Sequence, residues 1–218
     1  MTTFAADIAS TLGIVVCNAM GNEGPDVSSF ITPADADTII ACGAVSSSGT
    51  IASFSSRGPT ADGRIKPEVV ARGVFAFCVN ASDTNTFGYS GGTSLSTPLV
   101  CGCASVLLSA HPDWVPWKVR EALMYTADNS YTPDNIYGWG LIDLLAAVNY
   151  TFNTGDVNRD NNLGVSEVVY LINYLFKGGS EPYLHYRGNT NCDQEVTIPD
   201  IIYLINHLFK GGPAPCSY

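Results

Sequence analysis

Residues 87–98 read Phe87-Gly88-Tyr89-Ser90-Gly91-Gly92-Thr93-Ser94-Leu95-Ser96-Thr97-Pro98, and a run of small and apolar residues continues to Ala110 before His111-Pro112 halts it. The pattern predicts a helix over 94–110 with small or apolar residues on nearly all faces, hence a central buried helix. Pro98 is expected in its first turn, where a missing N–H has no helical partner to lose. Ser94 then stands where backbone N–H groups are unpaired and the helix dipole is positive. Two roles are open to it. Ser in such a place is commonly an N-cap; it is also where a nucleophile gains from its own N–H, which helps to hold an oxyanion. A serine hydroxyl is a weak nucleophile unless an adjacent base takes its proton, and no histidine precedes Ser94.

Outward from this helix the chain alternates helical and strand patterns. Phe4, Ala5, Ile8, Ala9 and Leu12 form one face of an N-terminal amphipathic helix. Gly13-Ile14-Val15-Val16-Cys17 and Thr38-Ile39-Ile40-Ala41-Cys42 are short apolar runs of the buried parallel-strand type. Residues 117–127 and 141–148 have helical periodicity. Residues 1–150 therefore read as an α/β domain.

The 218 residues hold 20 acidic and 10 basic side chains, a net charge of −10. No basic surface is available to release phosphate counterions, which argues against a nucleic-acid partner. No apolar run approaches the roughly 20 residues of a membrane span, and the first residues lack the basic and apolar regions of a signal peptide. Of seven cysteines, Cys17, Cys42, Cys78, Cys101 and Cys103 are expected as buried thiols acting as small hydrophobes. Cys192 and Cys216 flank the last helical segment, where they are either a bridge or a further pair of free thiols.

The last third changes character. Glu167-Val168-Val169-Tyr170-Leu171-Ile172-Asn173-Tyr174-Leu175-Phe176-Lys177-Gly178-Gly179 recurs 33 residues later, nearly letter for letter, as residues 200–212. Two copies are too few for a solenoid, and a duplicated small unit is the better reading. Oxygen-bearing residues precede each copy at alternate places: Asp156, Asn158, Asp160, Asn162 and then Glu167 at the twelfth, and Asn189, Asn191, Asp193, Glu195 and then Asp200 at the twelfth. One such run is equally an Asx-rich turn that caps a helix. Two in register, each feeding the same helix, favour 12-residue EF-hand-like loops that wrap one hard cation each with six to eight oxygen ligands. Two Ca²⁺ ions are the expectation.

Residues 155–218 resemble a type I dockerin, a tandem of calcium loop and helix, which implies docking onto a cohesin domain of a scaffold or cell-surface protein. Residues 151–154 read as a linker. The sixth loop place, usually Gly, is Asn161 or Gln194, and the second loop opens with Asn189 in place of Asp. Loop places 10 and 11, on which cohesin recognition leans in that family, are Val165-Ser166 and Ile198-Pro199, not the common Ser-Thr pair.

Residues 3–149 carry a second resemblance. Gly21-Asn22-Glu23-Gly24-Pro25, Ser53-Phe54-Ser55-Ser56-Arg57-Gly58-Pro59, Lys66-Pro67-Glu68-Val69-Val70-Ala71, the Ser94 segment and Tyr137-Gly138-Trp139-Gly140-Leu141-Ile142-Asp143 occur in this order. Together they resemble the C-terminal half of a subtilisin-like serine peptidase. The resemblance implies Ser94 as nucleophile, Asn22 as side-chain donor to the oxyanion, polypeptide substrates and a secreted enzyme. Leu95, Ser96, Thr97 and Leu99 stand where Met, Ala, Ser and His are frequent, and Arg72 where Pro is usual. An α/β-hydrolase elbow is excluded because Gly-x-Ser-x-Gly needs glycine where Ser96 stands. The family's triad runs Asp, His, Ser along the chain, whereas His111, His185 and His207 all follow Ser94. The expectation is thus a partial subtilisin-like parallel sheet with helices plus a small all-α dockerin, a peptidase fragment that lacks its Asp and His and is inactive alone. The competing reading is a non-catalytic calcium-dependent docking protein with a relic peptidase domain.

Overall fold

The computed structural model describes residues 1–80, 85–152, 154–158, 160, 162–182, 185–193 and 195–216. They divide into two units, Met1–Tyr150 and Thr151–Tyr218, so residues 151–154, expected as a linker, fall in the second, with Thr154 buried.

The apolar runs of the first unit build a parallel sheet of β1 (Cys17–Ala19), β2 (Ile40–Val45) and β3 (Val69–Arg72) in that order. Cys17 pairs with Ile40, and Cys42 with Val69. All six residues of β2 are buried, which explains its unbroken apolar run: a central parallel strand has no solvent face to alternate toward. The two runs lie further along the chain than expected, since residues 13–16 and 38–39 only lead into their strands. Leu141, expected in a helix, instead makes a parallel bridge to Val70. The hydrogen bonds Val70 N–H to Gly140 O (2.9 Å) and Trp139 N–H to Glu68 O (3.0 Å) dock the Tyr137-Gly138-Trp139-Gly140 run on β3.

Helix α2 (Thr93–Ala110) packs across all three strands. Val100, Ala104 and Leu107 meet Ile40, Cys42, Val69 and Ala71, and Leu123 and Met124 of α3 (Pro116–Tyr125) complete this core. The expectation of a helix buried all round is corrected. Leu99 and Val106 are nearly half exposed, because the sheet covers one side of α2 only. By length and composition α2 would suffice for a membrane span; its packing on the sheet is that of a core helix. Pro98 is also corrected. It is the sixth helical residue, so its missing N–H leaves the Ser94 carbonyl without its i+4 donor.

Helix α1 (Thr2–Thr11) forms, but its expected face does not pack: Phe4, Ile8 and Leu12 are exposed. It is held through polar groups instead. Asp7 Oδ1 accepts the N–H groups of Asp37 and Thr38 and the Thr38 hydroxyl, all within 2.9 Å. Burial pushes the Asp7 carboxyl upward, but these donors outweigh it and hold it below its ordinary value. An antiparallel pair with no counterpart in the sequence reading, β4 (Ala76–Val79) and β5 (Phe87–Ser90), places Phe77 against Phe87 and Tyr89 on an exposed face. The unit closes with α4 (Leu144–Val148).

The cysteines differ from expectation. Only Cys42 of the five free thiols is buried, and Cys101 is exposed. Burial, then the neighbouring Cys101 and Cys103 thiols, push Cys17 up to about 12. Cys192 and Cys216 form a disulfide.

The second unit repeats one design. Helices α5 (Val165–Lys177) and α7 (Ile198–Lys210), with the short α6 (His185–Gly188) between them, pack through Val168 and Leu171 against their repeat equivalents Ile201 and Leu204. Leu171 and Leu204 are fully buried, a contribution of about 1.5–3 kcal/mol each. Both long helices end on a left-handed glycine, Gly178 or Gly211.

Candidate functional site

The Ser94 site is built where β1 and α2 meet. Past Ala19 the chain turns at Gly21, whose φ of 114° suits glycine and where a Cβ would stand 2.8 Å from Ser56 Oγ. Ser56 braces the turn: its N–H donates to Gly21 O (3.0 Å) and its Oγ accepts the Glu23 N–H (3.0 Å). Ser55, equally buried, accepts the Ala44 N–H of β2 on its hydroxyl (3.1 Å). Gly24 N–H donates to Phe54 O (2.9 Å). The Ser53-Phe54-Ser55-Ser56 run, to which sequence reading attached no role, is thus the scaffold that presents Asn22.

Asn22 is held by α2 itself. Its Oδ1 accepts the Thr93 backbone N–H (2.9 Å) and the Thr93 hydroxyl (3.0 Å). The hydroxyl in turn accepts the Gly21 N–H (3.2 Å). Asn22 therefore caps the helix from outside it, and the N-cap residue is Gly92. With Oδ1 fixed, Nδ2 must face the other way. A Cβ on Gly92 would lie 3.1 Å from Ser94 Oγ and 3.5 Å from Asn22 Nδ2; Gly92, at φ 151°, leaves that space open, and both side chains border it.

Ser94 is exposed, and among the described residues neither its hydroxyl nor its N–H has a hydrogen-bond partner, nor has Asn22 Nδ2. The capping role is filled without Ser94. Nearby donors are used elsewhere: Leu95 N–H bonds Gly92 O (3.0 Å), and the hydroxyls of Ser96 and Thr97 both bond Thr93 O (2.8 Å). Two unpaired donors thus flank an exposed hydroxyl at the positive end of a long helix, an arrangement suited to negative charge on an oxygen.

No base within the first unit serves this hydroxyl among the described residues. His111 lies at the far end of α2, roughly 25 Å along the axis at 1.5 Å per residue. Its ring stacks on Trp114 and its Nε2 shares a hydrogen bond with Val148 O (2.8 Å). Asp7 holds the 37–38 turn, and Asp26 is exposed. In the second unit, the His207 ring shares a hydrogen bond with Gly212 O (3.3 Å).

A buried ion cluster beside the start of β2 was not legible. Lys66 Nζ and Arg120 Nη2 both reach Glu68 Oε1 at 2.7 Å, while Glu68 Oε2 accepts the Ala41 N–H of β2 (2.8 Å). Burial pushes the Lys66 ammonium below its ordinary value, with the Glu68 carboxylate opposing that shift. Only the Lys66-Pro67-Glu68 spelling hinted at it.

In the second unit the two acidic runs take one shape. Asp160 N–H donates to Asp156 Oδ1 (3.1 Å) and Asn158 Oδ1 (2.9 Å); Asp193 N–H donates to Asn189 Oδ1 (3.1 Å) and Asn191 Oδ1 (2.9 Å). Asn162 and Glu195, at the seventh places, each donate a backbone N–H to the carboxylate of Asp160 or Asp193. Asp156, Asp160 and Glu167 bring one carboxylate oxygen each within 4.8 Å of one another. Glu167 is fully buried, and its Oε1 has no hydrogen-bond partner. An orphaned buried carboxylate oxygen is costly unless a cation meets it, so these residues fit a hard cation such as Ca²⁺. The sixth loop places, Asn161 and Gln194, lie outside the described residues.

Known proteins share the architecture of the first unit. The self-cleaved protease domain of PatA superposes with a TM-score of 0.56 at 24% identity, over 67% of this chain and 53% of that one. The prenylagaramide maturation protease PagA gives 0.56 at 25% identity, over 67% and 54%. In sequence, the serine protease AprX of Bacillus subtilis (strain 168) is 35% identical over 159 residues, 64% of this chain and 36% of that protein. Subtilisin amylosacchariticus of Bacillus subtilis subsp. amylosacchariticus is 42% identical over 144 residues, 65% of this chain and 35% of the relative. The chain spans about a third of the length of these two relatives. The profile of the Subtilase family matches residues 2–140, and with the parallel sheet and the Asn22–Thr93–Ser94 arrangement in place, the chain belongs to the subtilase family.

Proposed function

We propose that this chain is part of a secreted subtilisin-like serine endopeptidase whose second unit is a calcium-binding dockerin. The observation that carries the first half is the clamp of Asn22 Oδ1 by Thr93, which leaves Asn22 Nδ2 and the Ser94 N–H unpaired beside the Ser94 hydroxyl. In the proposed reaction Ser94 Oγ attacks a peptide carbonyl, and the two N–H groups receive the oxyanion of the tetrahedral intermediate. The proton of Ser94 needs a base, and the triad histidine and aspartate would come from residues outside these 218. The chain by itself should therefore have negligible activity. The test is casein hydrolysis by this chain and by the product of its whole gene, each beside its Ser94→Ala variant. Activity in the whole product that Ser94→Ala abolishes supports the proposal; Ser94-dependent hydrolysis by the 218 residues alone would falsify the placement of the base.

One alternative is a docking protein whose peptidase domain is a relic, in which Ser94 would likewise stand without a base among the described residues. A whole gene product that contains Asp and His motifs upstream and hydrolyses casein excludes it.

For the second unit we propose that Ca²⁺ binds in both loops, with Asp156, Asn158, Asp160, Asn162 and Glu167 holding one ion and Asn189, Asn191, Asp193, Glu195 and Asp200 the other. At the seventh places the backbone carbonyl is the usual ligand. A cohesin domain is the proposed partner. Its support is a duplicated apolar face: Val165, Val169 and Phe176 of α5 are exposed, and so are their repeat equivalents Ile198, Ile202 and Phe209 of α7. Such patches mark interaction surfaces.

A further inference from the structure

The two acidic loops share a shape but are closed by different means. In the first, Glu167 accepts the Gly164 N–H (2.6 Å) and the Ser166 hydroxyl (3.0 Å) on Oε2, and its buried Oε1 meets no donor. One carboxylate oxygen each of Asp156, Asp160 and Glu167 lie within 4.8 Å of one another. Asp156 Oδ2 also meets the buried Arg187 guanidinium at 3.3 Å, so three carboxylates gather beside one guanidinium while a buried Glu167 oxygen is unsatisfied. In the second loop the twelfth residue is Asp200, one methylene shorter and equally buried. Both of its oxygens are satisfied: Oδ2 by the Thr197 N–H (2.8 Å), and Oδ1 by the Asn191 N–H (3.2 Å). The first place, a carboxylate in one loop, is the neutral amide of Asn189 in the other.

The first loop is tied through Arg187, which reaches the Asp156 carbonyl (3.1 Å) and carboxylate (3.3 Å); the second has a covalent cross-link instead. Cys192, at its fourth place with a left-handed φ of 61°, is bonded to Cys216 beyond the end of α7. The Cys216 N–H also donates to Thr190 O (3.1 Å), and the Thr190 hydroxyl donates to Asp200 O (2.8 Å). The loop is therefore tied at its second and fourth places to the segment after α7, and its second place is tied to its twelfth, with no cation required to satisfy its buried carboxylate.

We propose that the Cys192–Cys216 disulfide performs in the second loop the cross-linking that a divalent hard cation performs in the first, so that the two calcium sites are unequal. The inference rests on the calcium reading of these loops. The first loop is tight and ordered by its ion. The second keeps its shape without an ion and binds one more weakly, because affinity in such loops follows ligand charge and rigidity. Pre-organisation by the disulfide helps the second loop, but it acts on a site with one fewer ligand charge and no orphaned oxygen.

Calcium calorimetry on the whole chain tests this together with amide hydrogen exchange in chelator. The expected result is one tight ion and a second weaker by roughly tenfold or more. Glu167→Gln should remove the tight phase, and Asp200→Asn should leave it intact. In chelator, amides of residues 189–200 should stay protected while those of 156–167 lose protection. In the Cys192→Ser/Cys216→Ser variant both loops should lose it. Two equal tight sites, or loss of protection at 189–200 with the disulfide intact, overturn the inference but leave calcium binding standing. No calcium heat in any variant overturns the calcium reading itself, and this inference with it.

Discussion

Asn22 performs two tasks with the two ends of one amide, and the tasks separate by substitution. Its oxygen caps α2 through Thr93, and its nitrogen is the proposed oxyanion donor. Asn22→Asp keeps the acceptor and removes the donor. In the whole gene product it should leave the thermal midpoint within a few degrees of wild type and lower kcat by about 10²–10³-fold, the scale of the equivalent donor in a subtilisin, from which it is carried over. Asn22→Ala should lower the midpoint as well, because the Thr93 N–H then lacks its cap, a loss of about 1 kcal/mol. Equal stability losses in the two variants would contradict the division of labour. Ser94 and Asn22 were legible in the sequence as candidates, through the order of the motifs around them. Their joint dependence on Thr93 was not, because that hydrogen bond spans 71 residues and no local pattern encodes it.

At the level of elements, β3 and α3 are joined by charge as well as by apolar packing. Glu68 immediately precedes β3, and its carboxylate links the N–H of Ala41 in β2 to Lys66 and to Arg120 of α3. With Lys66 and Glu68 both out of water, removal of one partner leaves the other charge uncompensated. Glu68→Gln should cost about 3–5 kcal/mol, read from urea denaturation of the first unit; a change below 1 kcal/mol would show that solvent reaches the cluster. Strand β2 was readable because a continuous apolar run has one use in a parallel sheet. The β4–β5 pair was not, because Phe77, Phe87 and Tyr89 stay exposed and no buried face imposes a period of two. Helix α2 misled for a related reason: apolar residues on every face permit burial all round, but only the neighbouring layers determine how much of it occurs.

For the whole molecule, two units with separate cores predict two unfolding transitions in calorimetry. Chelator should lower the transition of the second unit and leave that of the first unmoved, since the carboxylate cluster lies in the second. Calcium stabilises only a state that binds it, by RT ln(1 + [L]/Kd), about 2.7 kcal/mol at a hundredfold excess over Kd. A single transition, or one insensitive to calcium, would refute this.

The sequence by itself determined the α/β class, the family of the first unit, the duplicated loop-helix design and the residues at each loop place, because motifs, periods and repeats are local properties of a chain. Tertiary structure alone decided three things. Asn22 Oδ1 faces Thr93, so its nitrogen is left to border the space beside Gly92 that Ser94 Oγ also borders. Glu68 gathers two cations beside Ala41 of β2. Glu167 keeps one oxygen unsatisfied while Asp200 keeps none, with Cys192–Cys216 beside it. Each of these depends on which polar atom is left without a partner once the chain has packed, and that remainder exists only in three dimensions.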